Sequence, residues 1–142
     1  MNKLTLLLTS LLMPIHILVP SPSQAKADFP LCGHGKRHQC IVDGDTFWHQ
    51  GTKYRLYAID APEVGGGAKC QQEYDSGMKA TYLLQSLLQS GITSMTQHGL
   101  DRYGRILVSV QTRDGDASGQ ILQAGLAEPF GQRVRADWCS KS

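Results

Sequence analysis

The order in which hydrophobic periodicity changes along the chain constrains its fold more than any other feature. Between residues 39 and 59 the apolar positions fall in short alternating runs, CIVDG, DTFWHQ and KYRLYAI, with Gln50-Gly51 as the turn before the last. Alternation bounded by turn residues reads as three consecutive strands. Tyr54, Leu56 and Ala58 are expected on one face of the third, with Arg55, Tyr57 and Ile59 on the other. Asp60 then ends that strand, because Pro62 has no N–H to donate to a ladder. VGGGAK at 64–69 reads as a flexible loop. The period changes at 76–90, where Met78 and Tyr82 lie four apart and Leu84, Leu87 and Leu88 follow at helical spacing. Asp75 or Ser76 is the expected cap and Gly91 the expected end. Alternation returns in ITSMTQ at 92–97 and RILVSVQT at 105–112, joined by HGLDRYG, and SGQILQAGL at 118–126 reads as a short helix capped by Ser118.

Three strands, a helix, two strands and a short helix make an α+β chain that is mainly β. A five-stranded antiparallel sheet with its main helix between the third and fourth strands fits a closed Greek-key barrel of the oligonucleotide-binding (OB) type. Residues 39–130 are the expected extent of this domain. Residues 28–38 form an irregular arm before it, and 131–142 a C-terminal tail.

The chain's 142 residues are not all assigned to this domain. One early cation, Lys3, precedes the apolar run LTLLLTSLLMPIHILV, and Ala25-Lys26-Ala27 places small residues where an A-x-A cleavage site needs them. This is the pattern of a secretory signal peptide over residues 1–27. The run is too short for a membrane span and is interrupted by Pro14 and His16. A secreted or periplasmic protein without stable membrane association is the expectation. Loss of Lys3 and Lys26 leaves twelve cations against twelve carboxylates, so global charge excludes a broadly basic nucleic-acid binder.

Cys32, Cys40, Cys70 and Cys139 all follow the leader. An even count in a small exported domain argues for two disulfides, with three connectivities open. We favour Cys32–Cys40, which pins the arm, and Cys70–Cys139, which ties back the tail. The stretch CGHGKRHQC carries a competing reading, with Cys32, His34, His38 and Cys40 as zinc ligands, although its spacing is not that of a common zinc finger.

Charge gathers in three short segments. Asp43 and Asp45 flank Gly44, a step that taken alone reads more readily as a hairpin turn than as paired carboxylates with a close backbone approach. Asp60 stands at a strand end and Glu63 three residues on, across Pro62. Oxygen ligands without cysteine or paired histidine suit a hard cation such as Ca²⁺. Arg55 precedes this group and Arg105 ends DRYGR at 101–105; arginine matches phosphate bidentately and stays charged. Two arginines, a hard cation and a further carboxylate are the parts that phosphodiester hydrolysis needs. A surface ion-pair network would use the same residue types without requiring them to gather in this way.

VDGDT at 42–46, RLYAIDAPE at 55–63 and DRYGR at 101–105 resemble, in order and spacing, three signatures of the staphylococcal nuclease (thermonuclease) family, and AGLA at 124–127 is similar to a weaker fourth. The resemblance covers roughly residues 39–128. It implies an OB-type barrel that hydrolyses DNA and RNA with Ca²⁺. In that pattern Asp45, Asp60 and the Ala61 carbonyl bind the metal, and Asp43 supports them. Glu63 is the general base or water positioner, Arg55 and Arg105 grip the phosphate, and Arg102 and Tyr103 contact the nucleotide. The chain departs from the family's best-known member in offering only Lys69 after the glutamate, at most Phe130 in place of paired tyrosines, and no long C-terminal helix. A monomer acting on unpaired strands is the expected state, because such barrels present a shallow face suited to splayed bases.

Overall fold

The computed structural model describes residues 26–132 and 136–140. Residues 1–25, which hold nearly all of the expected leader, lie outside the described residues.

Strands β1 (Cys40–Ile41), β2 (Thr46–His49) and β3 (Thr52–Leu56) form the expected antiparallel meander, with Phe47 opposite Tyr54 and Thr46 opposite Arg55. Strand β4 (Ile59–Asp60) follows a two-residue kink, and helix α1 (Gln71–Ser90) then crosses to β5 (Ile92–Leu100) and β6 (Ile106–Thr112). Strand β7 (Gly115–Asp116), helix α2 (Ala117–Gln123) and strand β8 (Glu128–Pro129) complete the order. The main sheet runs β1-β2-β3-β6-β5 with β7 on β6, while β4 pairs with β8. This α+β arrangement has the strand order of an OB-type Greek key. It corrects the expectation of a purely antiparallel sheet, because β3 and β6 run parallel. The α1–β5 crossover returns the chain to the β3 edge in its original direction, which a hairpin cannot do.

The core lies between the sheet and α1. Phe47, Leu56, Val108 and Val110 from the strands meet Ala80, Leu84 and Leu88 from the helix, all essentially inaccessible. Helix α1 begins five residues before the expected position, with Cys70 rather than Asp75 or Ser76 as its cap; the Cys70 sulfur accepts the Glu73 N–H. Apolar periodicity misses the first turn because the first member of its buried stripe is Glu73, a carboxylate. Met78 and Tyr82, the expected start of that stripe, stay off the core, and Tyr82 is exposed. Helix α2 likewise starts one residue early and is capped by Asp116 rather than Ser118, since the Asp116 carboxylate accepts the Gly119 N–H. The loop at 64–69 contains a single 3₁₀ turn, Gly65–Gly67.

The expected arm is built into the fold. Phe29 is 1% exposed, the Pro30 carbonyl accepts from Ile41, and Gln85 of α1 donates to the Phe29 carbonyl. Both favoured disulfides are present, Cys32–Cys40 and Cys70–Cys139. The first overturns the zinc reading, because Cys32 and Cys40 spend their sulfurs on each other. Among the described residues no helix is long and apolar enough to cross a membrane.

Candidate active site

The site is organised by the β2–β3 hairpin and by the break at the end of β3. The Asp43-Gly44-Asp45 step is the connection between β1 and β2, so both sequence readings of it hold together: it turns the chain and it presents carboxylates. Gly44 is required for proximity, since an added Cβ would lie 2.4 Å from the Ala80 Cβ and 3.0 Å from that of Ala61. Helix α1 thus backs directly onto the turn. Asp43 accepts the Asp45 N–H at 3.1 Å, which fixes the turn.

Strand alternation holds through Arg55 and then fails. Ala58 has a φ of +64°, a left-handed conformation that costs a non-glycine residue energy and is retained where the surroundings enforce it. The kink turns Ile59 into the core instead of leaving it on the Arg55 face, correcting the expected alternation, and aims Asp60 back at the strand. Arg55 therefore forks between two carboxylates: one guanidinium nitrogen donates to Asp45 at 2.8 Å, the other to Asp60 at 2.9 Å and to the Ile59 carbonyl at 3.2 Å. Burial acts to lower the Arg55 pKa, but Asp45 and Asp60 outweigh it and hold the guanidinium charged. Asp45 is 4% exposed, and its second oxygen accepts the Ala61 N–H at 3.0 Å.

A second arginine joins the same network. Asp101 accepts the backbone N–H groups of Tyr103 and Arg105, which closes DRYGR into a compact turn, and holds the Arg105 guanidinium at 2.6 Å. Burial would raise the Asp101 pKa, but the hydrogen bonds from Arg105 and Tyr103 prevail and lower it. Arg105 also donates to the Thr46 hydroxyl at 3.4 Å, and that hydroxyl donates to Asp45 at 2.8 Å. One chain of contacts thus runs from Asp101 through Arg105, Thr46, Asp45 and Arg55 to Asp60. The guanidinium groups of Arg102 and Arg105 both lie over the exposed Tyr103 ring, 4.8 and 5.4 Å from its centroid.

Asp43, Asp45, Arg55, Asp60, Ala61, Glu63, Arg102, Tyr103 and Arg105, nine residues from three separated segments, all line one cleft of about 990 Å³. Asp101, Thr46 and Phe130 lie in or beside the quoted segments, but no role for them was read from the sequence. Asp101 was legible as the carboxylate four residues before Arg105. The Thr46 bond to Asp45 is local but its bond to Arg105 is a tertiary contact, and Phe130 packs against the Arg55 guanidinium at 5.7 Å.

The carboxylates of the cleft are the residues that could hold a cation. Among the described residues no group of three acidic, histidine or cysteine side chains is arranged as a ready metal cage, and Arg55 lies between Asp45 and Asp60. A carboxylate offers about four acceptor positions, so sharing with Arg55 does not exhaust them. The Asp43 pKa is raised to about 7, first by burial and then by the neighbouring Asp45 charge. Such crowding of negative charge favours a hard, oxygen-seeking cation, and the residues fit one.

A fold with this strand order and a cleft that sets two arginines among carboxylates defines an OB-type domain equipped for phosphate chemistry. The staphylococcal nuclease homologue family matches residues 53–137, more than half of the chain, and the chain belongs to that family. The match begins after Asp43 and Asp45. An "uncharacterized endonuclease" of Escherichia coli is 33% identical over 97 residues, covering 65% of this chain and 58% of that protein. A protein of the same description from Escherichia coli O157:H7 is 32% identical over the same length and shares. The chain thus spans little more than half the length of these curated relatives.

Proposed function

We propose that this protein is an exported nuclease that hydrolyses phosphodiester bonds of DNA and RNA with Ca²⁺, acting as a monomer and preferring unpaired strands. The observation that carries this reading is the convergence of Arg55, Arg105 and Glu63 on one cleft with five further carboxylates, Asp43, Asp45, Asp60, Asp101 and Glu128. The two relatives named as endonucleases support it, and two disulfides in so small a domain support an oxidising destination.

Arg55 and Arg105 hold the scissile phosphate and offset the charge that accumulates on its oxygens as water attacks. Each is oriented beforehand by a carboxylate, Asp60 or Asp45 for Arg55 and Asp101 for Arg105, so little reorganisation is needed. Glu63 accepts the proton of the attacking water on a carboxylate oxygen. Asp45, Asp60 and the Ala61 carbonyl would hold the cation, with Asp43 behind them; when bound, it supplies Lewis-acid stabilisation of the phosphoryl oxygens.

The test uses oxidised protein with single-stranded and duplex DNA and with RNA, in Ca²⁺, Mg²⁺ or a chelator. Cleavage is expected with Ca²⁺ only. Glu63→Gln is expected to lose roughly 10²- to 10⁴-fold in kcat with its fold intact by circular dichroism. Equal cleavage by folded Glu63→Gln and Arg105→Ala would sink the reading. Ca²⁺-independent retention of DNA without cleavage would instead point to a non-catalytic nucleic-acid-binding barrel.

A further inference from the structure

We infer that Glu73, in the first turn of α1, is the positioning residue for Glu63; the inference rests on the proposed role of Glu63 as general base. Glu73 is 4% exposed. One of its oxygens accepts the Glu63 N–H at 3.4 Å and the other accepts the Lys69 N–H at 2.8 Å. One buried carboxylate thus closes both ends of the 63–69 loop.

The loop needs such a clamp. It contains three consecutive glycines, Gly65, Gly66 and Gly67, the residues that lose most freedom on ordering. Its packing is also close. A Cβ added at Gly77, one turn beyond Glu73, would lie 2.7 Å from the Glu63 carbonyl oxygen and 2.8 Å from that of Pro62. A Cβ at Gly67 would lie 3.2 Å from a carboxylate oxygen of Glu63 itself. Helix α1 therefore bears directly on the backbone that presents Glu63, and the loop folds back over its side chain. Behind the clamp, Trp138 is buried and Cys139 is bonded to Cys70, the cap of the same helix turn. Glu73 does not line the cleft; it acts on the reaction only through the placement of Glu63.

A carboxylate buried in an otherwise apolar stripe costs stability unless its oxygens are satisfied, and here backbone N–H groups satisfy them. An apolar residue at position 73 would fill the stripe and leave two loop N–H groups without an acceptor.

The experiment compares the full oxidised chain with Glu73→Gln, whose amide can accept only one of the two N–H groups, and with Glu73→Asp, whose shorter side chain cannot span both. Amide hydrogen exchange is read at Glu63 and Lys69, with Val108 and Val110 as core references. Protection at Glu63 or Lys69 is expected to fall by about tenfold or more while the references hold. The kcat on single-stranded DNA is expected to fall between roughly tenfold and a hundredfold, the scale on which small misplacements act, with KM unchanged. Leu88→Ala, which opens a core cavity away from the loop, is expected to lose stability and keep kcat. Unchanged exchange at both amides, or a KM that rises as kcat falls, would overturn the inference. If neither variant folds, protection of the wild-type Glu63 and Lys69 amides no better than that of Gly65 and Gly66 overturns it, and better protection upholds it. Absence of cleavage by the wild type would count against the nuclease reading alone, because the exchange measurement stands without it.

Discussion

Removing the Cys70–Cys139 bond tests how a chain this small holds its tail against the loop that carries Glu63. The perturbation is Cys70→Ser with Cys139→Ser, which leaves no stray thiol and keeps an oxygen at position 70 able to cap α1. The bond joins residues 69 apart in sequence, whereas Cys32–Cys40 joins residues only 8 apart. Cross-linking removes loop-closure entropy from the unfolded chain, and the loop-length relation gives about 4.4 kcal/mol for the long bridge and about 2.5 for the short one. Unfolding entropy for the ~112 described residues is about 0.24 kcal/mol per degree, so the two losses correspond to Tm decreases of roughly 18 and 10 °C. Thermal unfolding followed by circular dichroism, with Cys32→Ser and Cys40→Ser as the comparison pair, measures both. The ordering is the discriminating result. If the long bridge costs no more than the short one, chain entropy is not its mode of action, and the stability resides in local packing such as that of the buried Trp138.

Arg55→Met removes the cation between Asp45 and Asp60 from a site where its side chain is only 11% exposed. Removing one partner of a buried ion pair is expected to cost about 3–5 kcal/mol in urea denaturation; a loss below about 1 kcal/mol would mean that the fork contributes little to the fold. Asp43 gives a pH test in chelator. Its folded pKa of about 7 lies above its ordinary 3.8. The native state therefore binds the extra proton, and the stability this contributes is present below pH 4 and lost as pH rises through 7. Asp43→Asn should accordingly be more stable than wild type at pH 7.5 and no more stable at pH 4, and the opposite sign would refute the assignment of cause.

Much of this protein was legible in residue order alone. The meander from Cys40 to Leu56 and the long helix ending at Gly91 follow from local periodicity and turn chemistry, which are properties of neighbouring residues, whereas the even cysteine count pointed to two disulfides and left three connectivities open. The three charged segments were legible as a candidate site, and the structure brings them to one cleft. What local patterns could not supply is whatever depends on contact between distant segments. The parallel pairing of β3 with β6 follows from a crossover. The left-handed Ala58, which swings Asp60 onto Arg55, is enforced by the surrounding fold and not by its own preference. Glu73 looks in sequence like a solvated first-turn acid and becomes a buried clamp only because the 63–69 loop closes over it. Thr46 joins Arg105 to Asp45, the carboxylate that holds Arg55, across segments far apart in the chain. The sequence alone thus determined which chemical groups are present and which short elements carry them. Only the tertiary structure decided which groups share a hydrogen bond, because that depends on distances that no local pattern encodes.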